Sequence, residues 1–299
     1  MQDMMISTRD LSKRYGRTLA VDRVDLDLAP GKVYALAGRN GAGKSSLIKM
    51  LLGLEPVTDG KATVLGLDSR SDHVEIRQRV GYVPETHHIY GWMTVEEVCR
   101  FTAGFYPSWD LDLCRQLLDD FGLDRAKKVS GLSRGMTAKA ALVLALAHRP
   151  ELLILDEPTS GLDAVVRKQF LESIVSVAAD EGRTVLISSH LLAEVERICD
   201  TVLLLDRGKL LFAEDAESLR ERVREITVTF DGDPPDATGL PETAVLTKAP
   251  HEWRMIVPHF TPETPGSIQE WAGPSAAIAT RAPGLEEIFI ALTGNSPEE

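Results

Sequence analysis

Only three of the 299 residues are cysteine, and Cys99, Cys114 and Cys199 lie far apart. An odd and scattered set excludes a disulfide framework and argues against a zinc cluster, so reduced thiols are expected. Long apolar runs are missing too. The richest, Ala140 to Ala147, falls well short of the roughly eighteen residues that a bilayer-spanning helix needs. No secretory signal is read ahead of the first strand, and a cytoplasmic chain is expected. Basic residues are the third deficit: 33 Lys and Arg face 45 Asp and Glu, for a formal charge of −12. That balance argues against DNA or RNA as the main ligand, and no nucleic-acid partner is expected. A local cradle for an anionic nucleotide remains compatible with it.

What is present begins with Gly38-Arg39-Asn40-Gly41-Ala42-Gly43-Lys44-Ser45, which matches the phosphate-loop pattern G-x-x-x-x-G-K-[ST]. An apolar strand is read before it, Val33 to Ala37, and a helix after it, carried by Leu47, Ile48, Leu51 and Leu52. Glycines let backbone N–H groups turn toward phosphate oxygens at the positive end of that helix. Lys44 would reach the β- and γ-phosphates, and the Ser45 hydroxyl would ligate Mg²⁺.

Two further strands end in chemistry. Leu152 to Leu155 is apolar without alternation, as in a parallel strand buried on both faces, and runs into Asp156-Glu157-Pro158. Thr184 to Ser188 runs into Ser189-His190. Ligands on such sheets bind at the carboxyl ends of the strands, so loop, carboxylates and histidine can converge on one edge. Taken singly, a strand-end carboxylate or a lone histidine is usually structural; the shared topology favours a site.

Leu132-Ser133-Arg134-Gly135-Met136, ahead of an alanine- and leucine-rich helix from Thr137 to His148, makes the pattern specific. The order Gly38–Ser45, Leu132–Met136, Leu152–Glu157, Ser160-Gly161-Leu162-Asp163 and His190 resembles the ATP-binding subunit of an ABC transporter over roughly the first 220 residues. The resemblance implies an α/β fold, with an ABC-type P-loop ATPase domain and an inserted helical subdomain. ATP and Mg²⁺ are the implied cofactors. Nucleotide contacts would come from Gly38, Asn40, Gly41, Gly43, Lys44, Ser45 and Ser46, with Tyr15 stacked on adenine and Asp163 in a neighbouring loop. Ser45 and Asp156 would hold the metal. Glu157 would be the general base, assisted by Lys44 and His190. Ser133 and Gly135 of a second subunit would close the site, making ATP the glue of a head-to-tail dimer. An integral-membrane permease, contacted near Glu85 to Trp92, would hold the chain at the inner face of the cell membrane.

Two departures from the family pattern stand out. Arg134 and Met136 replace a glycine and a glutamine in the signature, although the phosphate-binding Ser133 and Gly135 remain. Glu85, grouped here with the metal ligands, replaces the usual glutamine after Gly81-Tyr82-Val83-Pro84. Both variants, with Phe105-Tyr106-Pro107-Ser108-Trp109-Asp110, resemble the branch that pairs with ABC-2 type export permeases. The alternative is a soluble ABC ATPase acting on a ribosome, nucleic acid or assembly machinery. Its translation relatives carry two ATPase units and its repair relatives long coiled coils, and neither feature is read here. A sensor that binds ATP without turnover is opposed by Lys44, Asp156, Glu157 and His190 together.

The organisation follows: an ATPase domain over 1–221, its helical subdomain over about 86–150, and an accessory domain over 222–299. In the subdomain, Val95 to Phe105 and Asp110 to Phe121 read as helices. Ten of the sixteen prolines fall in the last 79 residues, where 13 acidic residues meet 5 basic ones, which marks a change of unit. The prolines alone fit a linker or a disordered tail. Strand-like Ile226 to Phe230, Trp253 to Val257 and Ala276 to Thr280, with helical Ser267 to Trp271 and Leu285 to Leu292, favour a small α+β domain of ββαβα order. Ser296 to Glu299 reads as a frayed end.

Overall fold

The computed structural model describes residues 4–180, 182–236, 240 and 244–293, so the expected frayed end lies outside the described residues. The chain divides into two units, 1–191 with 198–213 and 192–197 with 214–299.

In the first unit the apolar runs become a six-stranded sheet. Its order from one edge is Lys209–Asp215, Thr201–Asp206, Val33–Ala37, Thr184–Ser189, Leu152–Asp156, Val80–Val83. The five strands from Thr201–Asp206 to Val80–Val83 pair parallel. Val33–Ala37, Leu152–Asp156 and Thr184–Ser189 are buried at every position, which is why their sequences do not alternate. A second sheet, ordered Thr18–Leu28, Ile6–Tyr15, Asp59–Val64, Leu67–Asp68, is antiparallel. Leu36, Leu47, Ile48, Leu51, Ile6 and Leu11 are fully buried in one core. Side chains of this kind contribute about 1.5–3 kcal/mol each, and they fix the phosphate-loop helix, Lys44–Leu51, against both sheets.

The helical subdomain holds Val95–Ala103, Leu111–Asp120 and Arg134–Leu146. Local capping sets where they begin. Thr94 and Glu97 form a reciprocal capping box, and the Asp110 carboxylate accepts from the N–H groups of Asp112 and Leu113. Ser133 accepts from Met136 N–H at 3.3 Å, which starts the third helix at Arg134, three residues before the expected Thr137. Cys99, Cys114 and Cys199 are free.

The second unit corrects two expectations. Its boundary falls at Glu214, not 222, and the helix Leu192–Val195 belongs to it. The reason is local bonding: Arg222 meets both Glu214 carboxylate oxygens at 2.7 Å, and Arg220 donates to the Glu196 carbonyl at 2.6 Å. Its order beyond the helix Ala216–Arg222 is βββαβα, because Ala244–Ala249 forms a strand that the sequence pattern did not reveal. The antiparallel sheet runs Ala244–Ala249, Glu252–Val257, Arg224–Thr229, Ala277–Arg281. Ile226, Val228, Trp253 and Met255 bury one face with Ile268 of the helix Thr264–Ala272. On the other face Glu225, 1% exposed, accepts from Arg254 at 2.8 Å and Arg281 at 2.6 Å, and Glu287 of the helix Leu285–Thr293 binds both arginines.

Candidate nucleotide site

The loop between Val33–Ala37 and Lys44–Leu51 is built for close approach of a ligand to backbone. Gly43 occupies the helix N-cap at φ +108°, and a Cβ there would meet the Ala20 carbonyl oxygen at 2.3 Å. Any other residue is excluded by both conformation and space. With no side chain at the cap, the first N–H groups of the helix, at Lys44, Ser45 and Ser46, are left for an anion. The Lys44 ammonium folds back to donate to the carbonyls of Gly38 at 2.7 Å and Arg39 at 3.2 Å. Gly41 and Asn40 form the exposed rim of the loop.

Parallel strands bring the remaining groups to this edge. Ser45 donates to Asp156 Oδ1 at 3.1 Å, and the Ser188 hydroxyl donates to the same oxygen at 2.7 Å. Ser188 also accepts from the Glu157 N–H at 2.9 Å, tying the two strand ends together. Sequence reasoning missed Ser188; the signal was its place at the carboxyl end of Thr184–Ser189, beside Asp156 in the register. Glu157 is buried and adopts φ +46°, a left-handed conformation that costs a non-glycine residue about 1–2 kcal/mol. Such strain concentrates at functional sites. Its Oε1 lies 3.1 Å from Lys44 Nζ and its Oε2 lies 2.7 Å from His190 Nδ1. Lys44, Glu157 and His190 are therefore in direct contact, as are Ser45 and Asp156.

Other expected residues stand apart. Tyr15 ends its strand with a ring 43% exposed, on the hairpin whose Ala20 touches the loop at Gly43. Asp163 accepts from Val165 and Val166 N–H at 3.1 and 3.0 Å, capping the helix Ala164–Asp180. Gly135 lets the signature helix pack closely, since a Cβ there would meet Val166 Cγ1 at 2.5 Å. Among the described residues, the side-chain hydrogen bond of Ser133 stays within its own helix. Glu85 is exposed, and no hydrogen bond among the described residues joins it to Ser45 or Asp156. Its charge and that of Asp156 reinforce burial in pushing the Tyr82 phenol upward.

The donor set fits a nucleotide with magnesium. Among the described residues no group of three His, Cys, Asp or Glu side chains gathers around one point. One buried carboxylate with one hydroxyl is what Mg²⁺ takes when phosphates and water complete its shell. Asp156, 2% exposed and bonded to hydroxyls, has the hard oxygens required.

A family model described as ABC transporter matches residues 21–160. The ABC transporter ATP-binding protein YtrB of Bacillus subtilis (strain 168) is 29% identical over 291 residues, spanning 97% of this chain and 98% of its own length. The bacitracin transport ATP-binding protein BcrA of Bacillus licheniformis is 36% identical over 223 residues, 74% of this chain and 73% of that protein. Among solved structures, an ATP binding subunit of an ABC transporter superposes with TM-score 0.66 at 30% identity, over 73% of this chain and 92% of that one. The ATP-binding cassette MJ0796, a dimer in a post-hydrolysis state bound to ADP and Pi, shares the fold with TM-score 0.64 at 20% identity, over 71% and 99%.

Proposed function

The chain belongs to the ABC transporter family as an ATP-binding ATPase subunit, and from that premise we propose that it closes head to tail with a second copy, or a similar subunit, around ATP and Mg²⁺ to drive an export permease. The contact between Lys44, Glu157 and His190 beside the Ser45–Asp156 pair carries this reading. The loop N–H groups and Lys44 hold the phosphates, and Ser45 with Asp156 would hold magnesium, which would supply charge neutralisation there. Glu157 accepts the proton of the attacking water, and His190, bonded to its other oxygen, fixes the carboxylate. Phosphoryl transfer needs this positioning and charge stabilisation more than covalent help. Ser133 of the second copy supplies the far side: its oxygen accepts from Met136 N–H, which leaves the hydroxyl proton free to donate to the γ-phosphate. Adenine stacks on the half-exposed ring of Tyr15.

Permease coupling is supported by an exposed aromatic cluster. Tyr90, Trp92, Phe101 and Phe105 are 52%, 67%, 45% and 61% exposed; Tyr90 meets Trp92 at 6.1 Å and Phe101 at 5.7 Å, and Phe101 meets Phe105 at 5.3 Å between ring centroids. Aromatic side chains left to solvent together mark an interaction surface. No helix among the described residues is long and apolar enough to cross a membrane, so attachment would come through this partner. The export direction rests on the likeness to the ABC-2 branch and to a bacitracin transport protein. The test is recovery of a tagged chain from detergent-solubilised membranes. A polytopic protein that co-purifies, and is lost with Trp92→Ala and Phe105→Ala, is the expected result; ribosomes or no partner would reject the proposal.

A further inference from the structure

Lys13 carries a charge and yet is only 4% exposed. Its ammonium donates to the Pro56 carbonyl at 2.8 Å and to Glu55 Oε2 at 3.0 Å, and it lies 4.7 Å from the centroid of the Tyr15 ring. A buried ammonium is costly unless its N–H groups are met. Here a carboxylate, a carbonyl and a π face meet them. Glu55 and Pro56 lie just beyond the phosphate-loop helix, to which Leu54 and Glu55 N–H remain bonded through the Lys49 carbonyl at 2.8 and 3.2 Å. Nearby bonds reinforce the tie: Thr58 N–H donates to Ser12 O at 3.0 Å, and Arg14 N–H donates to Thr58 Oγ1 at 3.1 Å.

We infer that Lys13 is a positioning residue for recognition of the nucleotide base. Its ammonium covers one face of the Tyr15 ring and leaves the other face for a purine. It also draws π density toward itself, which makes the far face a better platform for an electron-rich base. Through Glu55 and Pro56 it holds that platform at a set distance from the helix whose N-terminus faces the phosphates. The inference rests on the proposed stacking of adenine on Tyr15. A merely structural tie between strand and loop would affect every ligand alike, whereas a base-positioning tie affects only ligands that carry a base.

The full-length chain is titrated in magnesium buffer with ATP and with inorganic tripolyphosphate, which has the phosphates but no base. Lys13→Met is expected to weaken ATP about five- to tenfold while changing tripolyphosphate less than about twofold. Lys13→Arg should restore most of the loss. Tyr15→Ala should lose at least as much ATP affinity, and adding Lys13→Met to it should lose no more. Should Lys13→Met not fold, Glu55→Gln, which weakens the anchor but keeps its shape, should give a smaller loss that is again confined to ATP. Equal losses for both ligands overturn the inference, as does an unchanged ATP affinity in the Lys13 or Glu55 variant while Tyr15→Ala remains defective. If Tyr15→Ala leaves the ratio of the two affinities unchanged, adenine stacking on Tyr15 fails first and this inference falls with it.

Discussion

Glu157 serves several contacts from one strained backbone position: its two carboxylate oxygens face Lys44 and His190, and its N–H is held by Ser188. Glu157→Gln keeps the shape but removes the proposed proton acceptor. Turnover should fall by roughly 10²- to 10⁴-fold, while ATP binding survives and the bound nucleotide holds two chains together. ATPase assays with size-exclusion chromatography check this; near-normal hydrolysis removes Glu157 from the role. Asp156, Glu157 and His190 were legible because each follows a strand whose apolar run is plain. Ser188 was not, since a serine inside a strand carries no pattern until its neighbour across the sheet is known. His148, 1% exposed and stacked on Tyr106 at 4.0 Å, gives a second prediction. Burial holds its pKa down to about 4, the Arg183 charge pushes the same way, and the backbone of Val80 and Leu144 opposes them. The unfolded chain therefore binds a proton near pH 6.5 that the fold refuses, so this contribution is complete above that pH and is lost as pH falls toward 4. Its span is about 3 kcal/mol. Denaturation midpoints across this range should fall less steeply in His148→Gln.

At the scale of elements, periodicity and buried runs are plain in the sequence, whereas tertiary cover is not. The helices Val95–Ala103 and Leu111–Asp120 begin within one residue of the expected starts, because their N-terminal caps are written in Thr94, Glu97 and Asp110. Ala244–Ala249 escaped notice: Pro241 and Pro250 flank a segment whose pairing with Glu252–Val257 is fixed only by register. On Arg224–Thr229, Ile226 and Val228 alternate toward one core face, and Glu225 and Thr227 stand on the other. The helix Leu285–Thr293 brings Glu287 to that face, so Glu225 became a buried carboxylate between two arginines. Glu225→Ala leaves Arg254 and Arg281 close together with Glu287 alone to balance them. We expect a loss of about 2 kcal/mol, below the 3–5 typical of a broken buried pair because both guanidinium groups reach solvent. Urea unfolding followed through Trp253 and Trp271 emission measures it, and an unchanged midpoint would make the network ornamental.

For the molecule as a whole, the second unit is assembled from two separate stretches of chain. Leu192 and Val195, 6% and 1% exposed, sit in a helix that touches Leu285–Thr293, and Glu196 accepts from the Leu285 N–H at 3.2 Å. The charge and proline shift marked a new unit but gave no hint that it borrows a helix from before the boundary. A chain ending at Asp215 should therefore not be a clean ATPase domain. Uncovering the two side chains costs about 3–6 kcal/mol, and the truncated protein should aggregate on warming. Light scattering during a thermal ramp checks this, with Leu192→Ser and Val195→Ser in the truncated chain expected to delay the rise.

The parallel sheet also sets a timetable. Val33 lies beside Val185, and Tyr34 beside Thr201, so the strand that launches the phosphate loop has both its neighbours made long after it. At about 5–20 residues per second of synthesis, the wait is on the order of 10 to 30 s. Through that interval an apolar segment near the start of the chain has no partner on either side within its sheet, and it is open to chaperones and to association with other unfinished chains. Nucleotide capture then becomes a sign of completion: a chain halted before Thr184 carries the whole phosphate loop, yet the strand that launches it has neither of its sheet neighbours.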